Sequence, residues 1–149
     1  MSVLSTLGIR PGGGCHFQAE GYAAMAGQLF PLVNQYNYGV EPKTSITPPN
    51  IQSASYVGDR KDEIKLVFDQ KVKWEEGIIE RFYLDDSSAE LTAVDGSGKI
   101  ITLQLAGPST AKNLSYVRGG KWRQEEAIIW GVNDLASLTF CEVLIRPAR

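Results

Sequence analysis

The chain is poor in the residues that most often carry out chemistry: in 149 residues it has one histidine, His16, and two cysteines, Cys15 and Cys141. One His and two Cys do not assemble a structural zinc site without carboxylates of unusual spacing, so no metal and no cofactor is expected. Two cysteines in segments of unlike character are no disulfide framework either, and free thiols are expected. No apolar run approaches the roughly 18 residues that span a bilayer, and no internal repeat suggests a solenoid. Charge of one sign is also lacking. Fifteen Lys and Arg face 17 Asp and Glu, for a net charge of -2, which disfavours a generally basic nucleic-acid binder. Residues 1–14 hold neither a basic stretch nor an apolar core of secretory type, so the chain as it stands is expected in the cytoplasm.

What is present is ordinary globular material, 43% hydrophobic and 21% charged, arranged in two unlike parts. Residues 1–50 carry only Arg10, Glu20, Glu41 and Lys43 as charges, together with Gly12, Gly13 and Gly14 and most of the prolines. Residues 51–149 carry the rest of the charge and alternate apolar with polar side chains. The division is a 1–39 segment, a 40–50 linker with Pro48-Pro49 favouring an extended path, and a 51–146 domain. In the first part Tyr22, Met25, Ala26, Leu29, Val33 and Tyr36 recur at helical spacing and predict a helix over 19–35, with a kink at Pro31.

The second part reads as strands. Ile64, Leu66 and Phe68 alternate with Glu63, Lys65 and Asp69, and Ile101, Leu103 and Leu105 form a second such row. Between a strand over 91–94 and the second row, Asp95-Gly96-Ser97-Gly98 supplies the positive-φ positions of a tight hairpin. Further strands are expected over 51–57, 81–84, 113–117 and 138–145. The last is apolar on both faces, so it should be central, or switch faces at a bulge near Glu142. Short strands with turns every 8–12 residues predict a mainly β fold, an Ig-like or jelly-roll-type antiparallel β-sandwich of about seven strands, preceded by one helix.

The stretch Gly13-Gly14-Cys15-His16-Phe17-Gln18-Ala19-Glu20-Gly21-Tyr22 places the lone histidine on a Gly-rich loop before the helix, where it could act as general base to a nucleophile. It resembles the closing block of the GDSL/SGNH esterase superfamily, more narrowly that of sialate O-acetylesterase-type carbohydrate esterases. There a catalytic His precedes a helix led by Gly-Tyr, like Gly21-Tyr22 here. By that resemblance His16 matches the catalytic base. The family's Asp three residues earlier is replaced by Gly13, and the Gly-Asp-Ser nucleophile block and the oxyanion-hole blocks have no counterpart. His16 is therefore expected to be an inactive relic and the chain not an enzyme. Ser115-Tyr116-Val117, Trp122 and the run from Gly131 to Phe140 look like the end of the β-domain that trails those esterases.

Tyr116, Arg118, Lys121, Trp122 and Arg123 interleave aromatic and basic residues, and Trp122 with Tyr116 is the candidate sugar-stacking pair. Trp74 and Trp130 read as core or core-edge aromatics. The acidic pairs Glu75-Glu76 and Asp85-Asp86 read as solvated turns. The resulting expectation is a non-catalytic accessory module that packs against, or presents substrate to, an esterase domain. A carbohydrate-binding module and an esterase fragment completed by a partner chain through His16 are the alternatives. Expected partners are thus an esterase catalytic domain or a carbohydrate, with neither nucleic acid nor membrane; the oligomeric state is left open.

Overall fold

The structure is a computed structural model that describes residues 2–10, 16–86, 88–117, 123 and 126–148. Cys15, the Gly13 position and Trp122 lie outside the described residues. One helix, α1 (Ala19–Tyr38), precedes nine strands: β1 (Ile51–Tyr56), β2 (Glu63–Phe68), β3 (Val72–Trp74), β4 (Phe82–Leu84), β5 (Leu91–Ser97), β6 (Ile100–Leu105), β7 (Asn113–Tyr116), β8 (Ile129–Gly131) and β9 (Phe140–Arg146). The expected mainly β fold with one leading helix is what the structure shows. It has two strands more than expected, because β3 and β8 form a separate two-stranded sheet.

The other seven strands form one curled sheet in the order β4-β7-β9-β1-β2-β6-β5. Its pairings are antiparallel, except that β9 runs parallel to β1 with Ala54 opposite Ile145 and Ser55 opposite Arg146. Alternation decides which face is covered. In β2, Ile64, Leu66 and Phe68 are buried while Lys65 is exposed. Curling brings these residues, with Ile101 and Leu103 of β6, against Phe82, Leu114, Tyr116, Ile129, Phe140 and Ile145 in one apolar cluster. Each such side chain contributes on the order of 1.5–3 kcal/mol by leaving water.

Two local expectations are refined. The hairpin between β5 and β6 turns at Gly98-Lys99, at the end of the expected 95–98 run, with Ser97 opposite Ile100 and Gly98 at φ 62°. Gly96 serves the ladder instead: at φ 147° a Cβ there would collide with the Ile100 carbonyl. In β9 the face switch occurs where it was expected. Leu114 pairs with Val143 and Tyr116 with Phe140, so β9 holds one residue more than β7 across this step. Glu142, at φ 52°, absorbs the extra residue. Phe140 and Ile145 consequently both point inward although they lie on opposite parities of the strand.

The α1 helix runs three residues past the expected end, since Gly39 in the left-handed region is what stops it. It continues through Pro31. Gly21, Met25, Gln28, Leu32 and Gln35 form its covered side, with Leu32 buried. Of the apolar row read from the sequence, Met25 falls on that side, while Tyr22, Ala26, Leu29, Val33 and Tyr36 form a stripe offset from it by one residue, about 100°. The stripe expected to be covered is left largely open: Tyr22, Leu29 and Tyr36 are exposed, as is Phe30 beside it at 63%.

The segments before β1 are not loose. The Ser5 hydroxyl donates to the Ser137 carbonyl at 3.1 Å, and Ile9 is buried. Within the expected 40–50 linker, Asn133 Nδ2 donates to the Ser45 and Thr47 carbonyls, both at 2.9 Å, and Leu138 N–H donates to the Pro49 carbonyl. Pro48 and Pro49 are buried. From Ser45 onward this stretch is part of the β domain's wall.

Candidate functional site

His16 is exposed, two residues before the helix cap at Gln18. Phe17 beside it packs edge-on against Tyr22 at 6.0 Å. Among the described residues His16 has no hydrogen-bond or ion-pair partner, so no carboxylate there orients its ring and no hydroxyl stands ready to lose a proton to it.

Tyr116 corrects the expected sugar contact. Its ring has 0% exposure and is wedged between Phe82 and Phe140, each 5.4 Å away. Its Oη accepts the Ile129 N–H at 2.7 Å. Burial, ahead of every other influence, pushes its phenol pKa up. A ring enclosed on both faces cannot stack on a ligand; Tyr116 is a core residue. Its candidate partner Trp122 lies outside the described residues.

The acidic pair Asp85-Asp86 is also more than a solvated turn. Asp85 accepts the backbone N–H groups of Lys112 and Asn113 at 2.8 and 3.0 Å and the Asn113 amide at 2.9 Å. The Asn113 backbone N–H leads in holding its carboxyl below the usual range. Asp86 accepts from Ser88, Ser109 and Thr110, and the Ser88 hydroxyl leads in lowering its pKa. Together they staple the end of β4 to the start of β7. Among the described residues no group of three or more His, Cys, Asp or Glu is placed to hold a metal ion.

A groove of about 590 Å³ lies where the two-stranded sheet meets α1 and the N-terminal segment. Lys73 of β3 pairs with Trp130 of β8, so both side chains leave the same face of that ribbon. Trp130 is partly exposed; Gly8 (φ 71°) passes so close that any side chain there would strike its ring. The rim carries both signs of charge in pairs. Lys73 Nζ lies 2.7 Å from Asp134 Oδ1, and Arg10 lies 3.6 Å from Glu75, which also accepts the Ile128 N–H. From α1 comes Gln28, whose buried Oε1 has no hydrogen-bond partner.

No family model, curated protein or solved structure matches the chain.

The groove is therefore read by its own chemistry: two indoles, Trp130 and Trp74, two internally balanced ion pairs and an amide oxygen with no partner among the described residues. Sequence reading placed Trp74 and Trp130 at the core edge, and both are partly buried, with Trp74 packed against the main cluster. It did not bring Trp130 together with Lys73, Asp134, Gln28 and Arg10. The only local signal was the Gly131-to-Asp134 turn, which holds Asp134 beside β8.

Proposed function

We propose that the chain is a non-catalytic accessory β-sandwich module of the kind that trails carbohydrate esterases, and that it packs against an esterase domain through α1. The observation that carries this reading is the uncovered apolar stripe of Tyr22, Leu29 and Tyr36 with Phe30 at its side. The helix bears one charged residue, Glu20, in 20. On its other side Leu32 is buried and Ala24, Gln28 and Pro31 share grooves with Asp134 and its neighbours, so the stripe faces away from the β domain. Contiguous apolar surface of this kind marks a contact site. The likeness of residues 13–39 to an esterase closing block names the partner class.

The test uses a separately purified catalytic domain of a sialate O-acetylesterase-type enzyme, freed of its own trailing β-domain. Sedimentation should show a complex with this chain, and Leu29→Ser with Phe30→Ser should abolish it without moving the melting temperature. No complex at about 100 μM, or one indifferent to the double substitution, refutes docking. The chain alone should hydrolyse neither p-nitrophenyl acetate nor an acetylated sialic acid. Hydrolysis lost on His16→Ala would overturn the non-catalytic reading.

The Trp130 groove favours carbohydrate binding as a second reading. An indole face suits the C–H side of a sugar ring, a rim without net charge suits a neutral polyol, and the free Gln28 oxygen suits a hydroxyl donor. Neutral trisaccharides should perturb the fluorescence of the protein, and Trp130→Phe or Gln28→Leu should weaken the response by about tenfold. A response that survives both substitutions but disappears in Trp122→Ala would move the contact elsewhere.

A further inference from the structure

The opposite, outer face of the curled sheet carries a feature that neither reading uses. Ser55 of β1 has Lys65 of β2 as its direct cross-strand neighbour on one side and Arg146 of β9 on the other. Burial alternates so that Ala54 and Tyr56 face the core, which turns Ser53 and Ser55 outward. The same alternation turns Lys65 and Val67 outward from β2, and Arg146 outward from β9. Neighbouring strands lie about 4.8 Å apart, so the Lys65 and Arg146 backbones stand about 10 Å apart with the serine between them. Both side chains are long enough to lean over it.

These groups line a pocket of about 340 Å³, with Val67 and Val57 as apolar lining and Pro147 beside Arg146. Among the described residues no carboxylate lines it. Glu63 stands two residues along β2, and Asp95 stands two strands away on β5, opposite Thr102, which itself pairs with Lys65. Among the described residues Lys65 and Arg146 have no ion pair, and the Ser53 and Ser55 hydroxyls have no hydrogen bond. Some other cations carry ion pairs, Lys73 with Asp134, Arg81 with Glu80 and Glu126, and Arg60 with Asp62, while Lys43, Lys71 and Lys112 carry none among the described residues.

We infer that this shelf on β9-β1-β2 binds an oxyanion, the sulfate, phosphate or carboxylate group of a ligand, between Lys65 and Arg146 over Ser55. Every polar side chain lining the pocket in this row can donate: an ammonium, a guanidinium fork that matches two oxygens of one anion, and two rotatable hydroxyls. Two like charges held across one serine repel each other, and an anion between them turns that repulsion into attraction on both sides. The site lies on the three central strands of the sheet rather than on a loop, so its spacing is fixed by backbone ladders. It stands whether or not α1 docks on a partner.

The experiment is a ¹⁵N–¹H NMR titration of the whole chain with sodium sulfate, phosphate and acetate, each at ionic strength matched with chloride. Saturable shifts are expected at Ser53, Ser55, Lys65 and Arg146, with dissociation constants of the order of 1 mM. Lys65→Ala and Arg146→Ala, both at exposed positions, should each weaken binding by about tenfold while the melting temperature holds. Ser55→Ala should weaken it less. Response to sulfate and phosphate alone identifies a tetrahedral group, and response to acetate as well admits carboxylates; either supports the site. Shifts that chloride reproduces, shifts away from this row, or saturable shifts that persist in the Lys65→Ala/Arg146→Ala double variant overturn it.

Discussion

Removing one oxygen from Tyr116 isolates what that oxygen does. Tyr116→Phe keeps the ring between Phe82 and Phe140 but leaves the buried Ile129 N–H without its acceptor. The expected loss is about 1–3 kcal/mol in urea unfolding, against about 3–5 kcal/mol for Tyr116→Ala. A Phe variant as stable as the parent would mean that water replaces the hydroxyl. The sequence held a clue to this residue that its basic neighbours masked. Tyr116 lies two positions from Leu114, and in a strand such pairs share a face. A second prediction concerns Asp85 and Asp86. Both carboxyls titrate below their ordinary value when folded. The unfolded chain therefore takes up protons first, so their contribution is complete above pH about 4 and is lost as pH falls further. The melting temperature should stay level from pH about 8 to about 5 and fall below about 4. Asp86→Asn should start lower at neutral pH and fall less steeply in acid, whereas an unchanged slope would assign the acid loss to other carboxylates.

Among the elements, β9 shows how much a sequence pattern can disclose. Apolar residues on both parities, with Glu142 between them, pointed to a bulge, and the register bears that out. Deleting Glu142 removes the extra residue, leaves Phe140 and Ile145 four positions apart on one face of a regular strand, and should keep cooperative unfolding. A second residue inserted beside Glu142 should instead turn Phe140 or Ile145 outward and lower the melting temperature; a deletion variant that no longer melts cooperatively would show that the bulge itself is needed. The β3–β8 ribbon was not legible for a physical reason. Each strand has three residues, and the partner of Val72-Lys73-Trp74 lies far along the chain at Ile129 to Gly131. No periodicity develops over three residues, and no local signal reports a distant partner. The groove built on that ribbon was hidden for the same reason. Its members come from the N-terminal segment, α1, β3 and the turn after β8. For α1 the pattern gave the helix but not its orientation. Two stripes one residue apart are both compatible with helical spacing, and only tertiary contact chose the one ending in Leu32. Leu32→Ala should therefore cost about 2–4 kcal/mol, and Leu29→Ala, on the open side, well under 1 kcal/mol. Equal losses in thermal unfolding would place the covered side wrongly.

At the scale of the whole molecule, the buried residues of the main cluster, among those described, all come from the 51–146 domain, with Leu7 of the N-terminal segment packed against them. A fragment starting at Pro48 should fold cooperatively, but it gives up the covering supplied by Ser5, Ile9 and Leu32, each of which is buried in the full chain. Its melting temperature should lie several degrees below that of the full chain, since each kcal/mol lost moves a domain of this size by about 4–8 °C. Ile9→Ala in the full chain should reproduce part of the drop. A fragment that fails to melt cooperatively would make the N-terminal segment part of the fold itself.

The position of β9 also governs the order in which the molecule can be completed. Among the described residues it follows the other eight strands in sequence yet stands third in the sheet, where it links β4-β7 to β1-β2-β6-β5. Until it is in place these are two ribbons, each with an open edge able to pair with another chain. A nascent polypeptide emerges N-terminus first, at about 5–20 residues per second, so the join waits until β9, behind the eight strands it completes, has left the ribosome. Chains cut short before Phe140 should therefore accumulate as aggregates rather than as smaller folded domains, and the closing residues act as the clasp of the whole sheet.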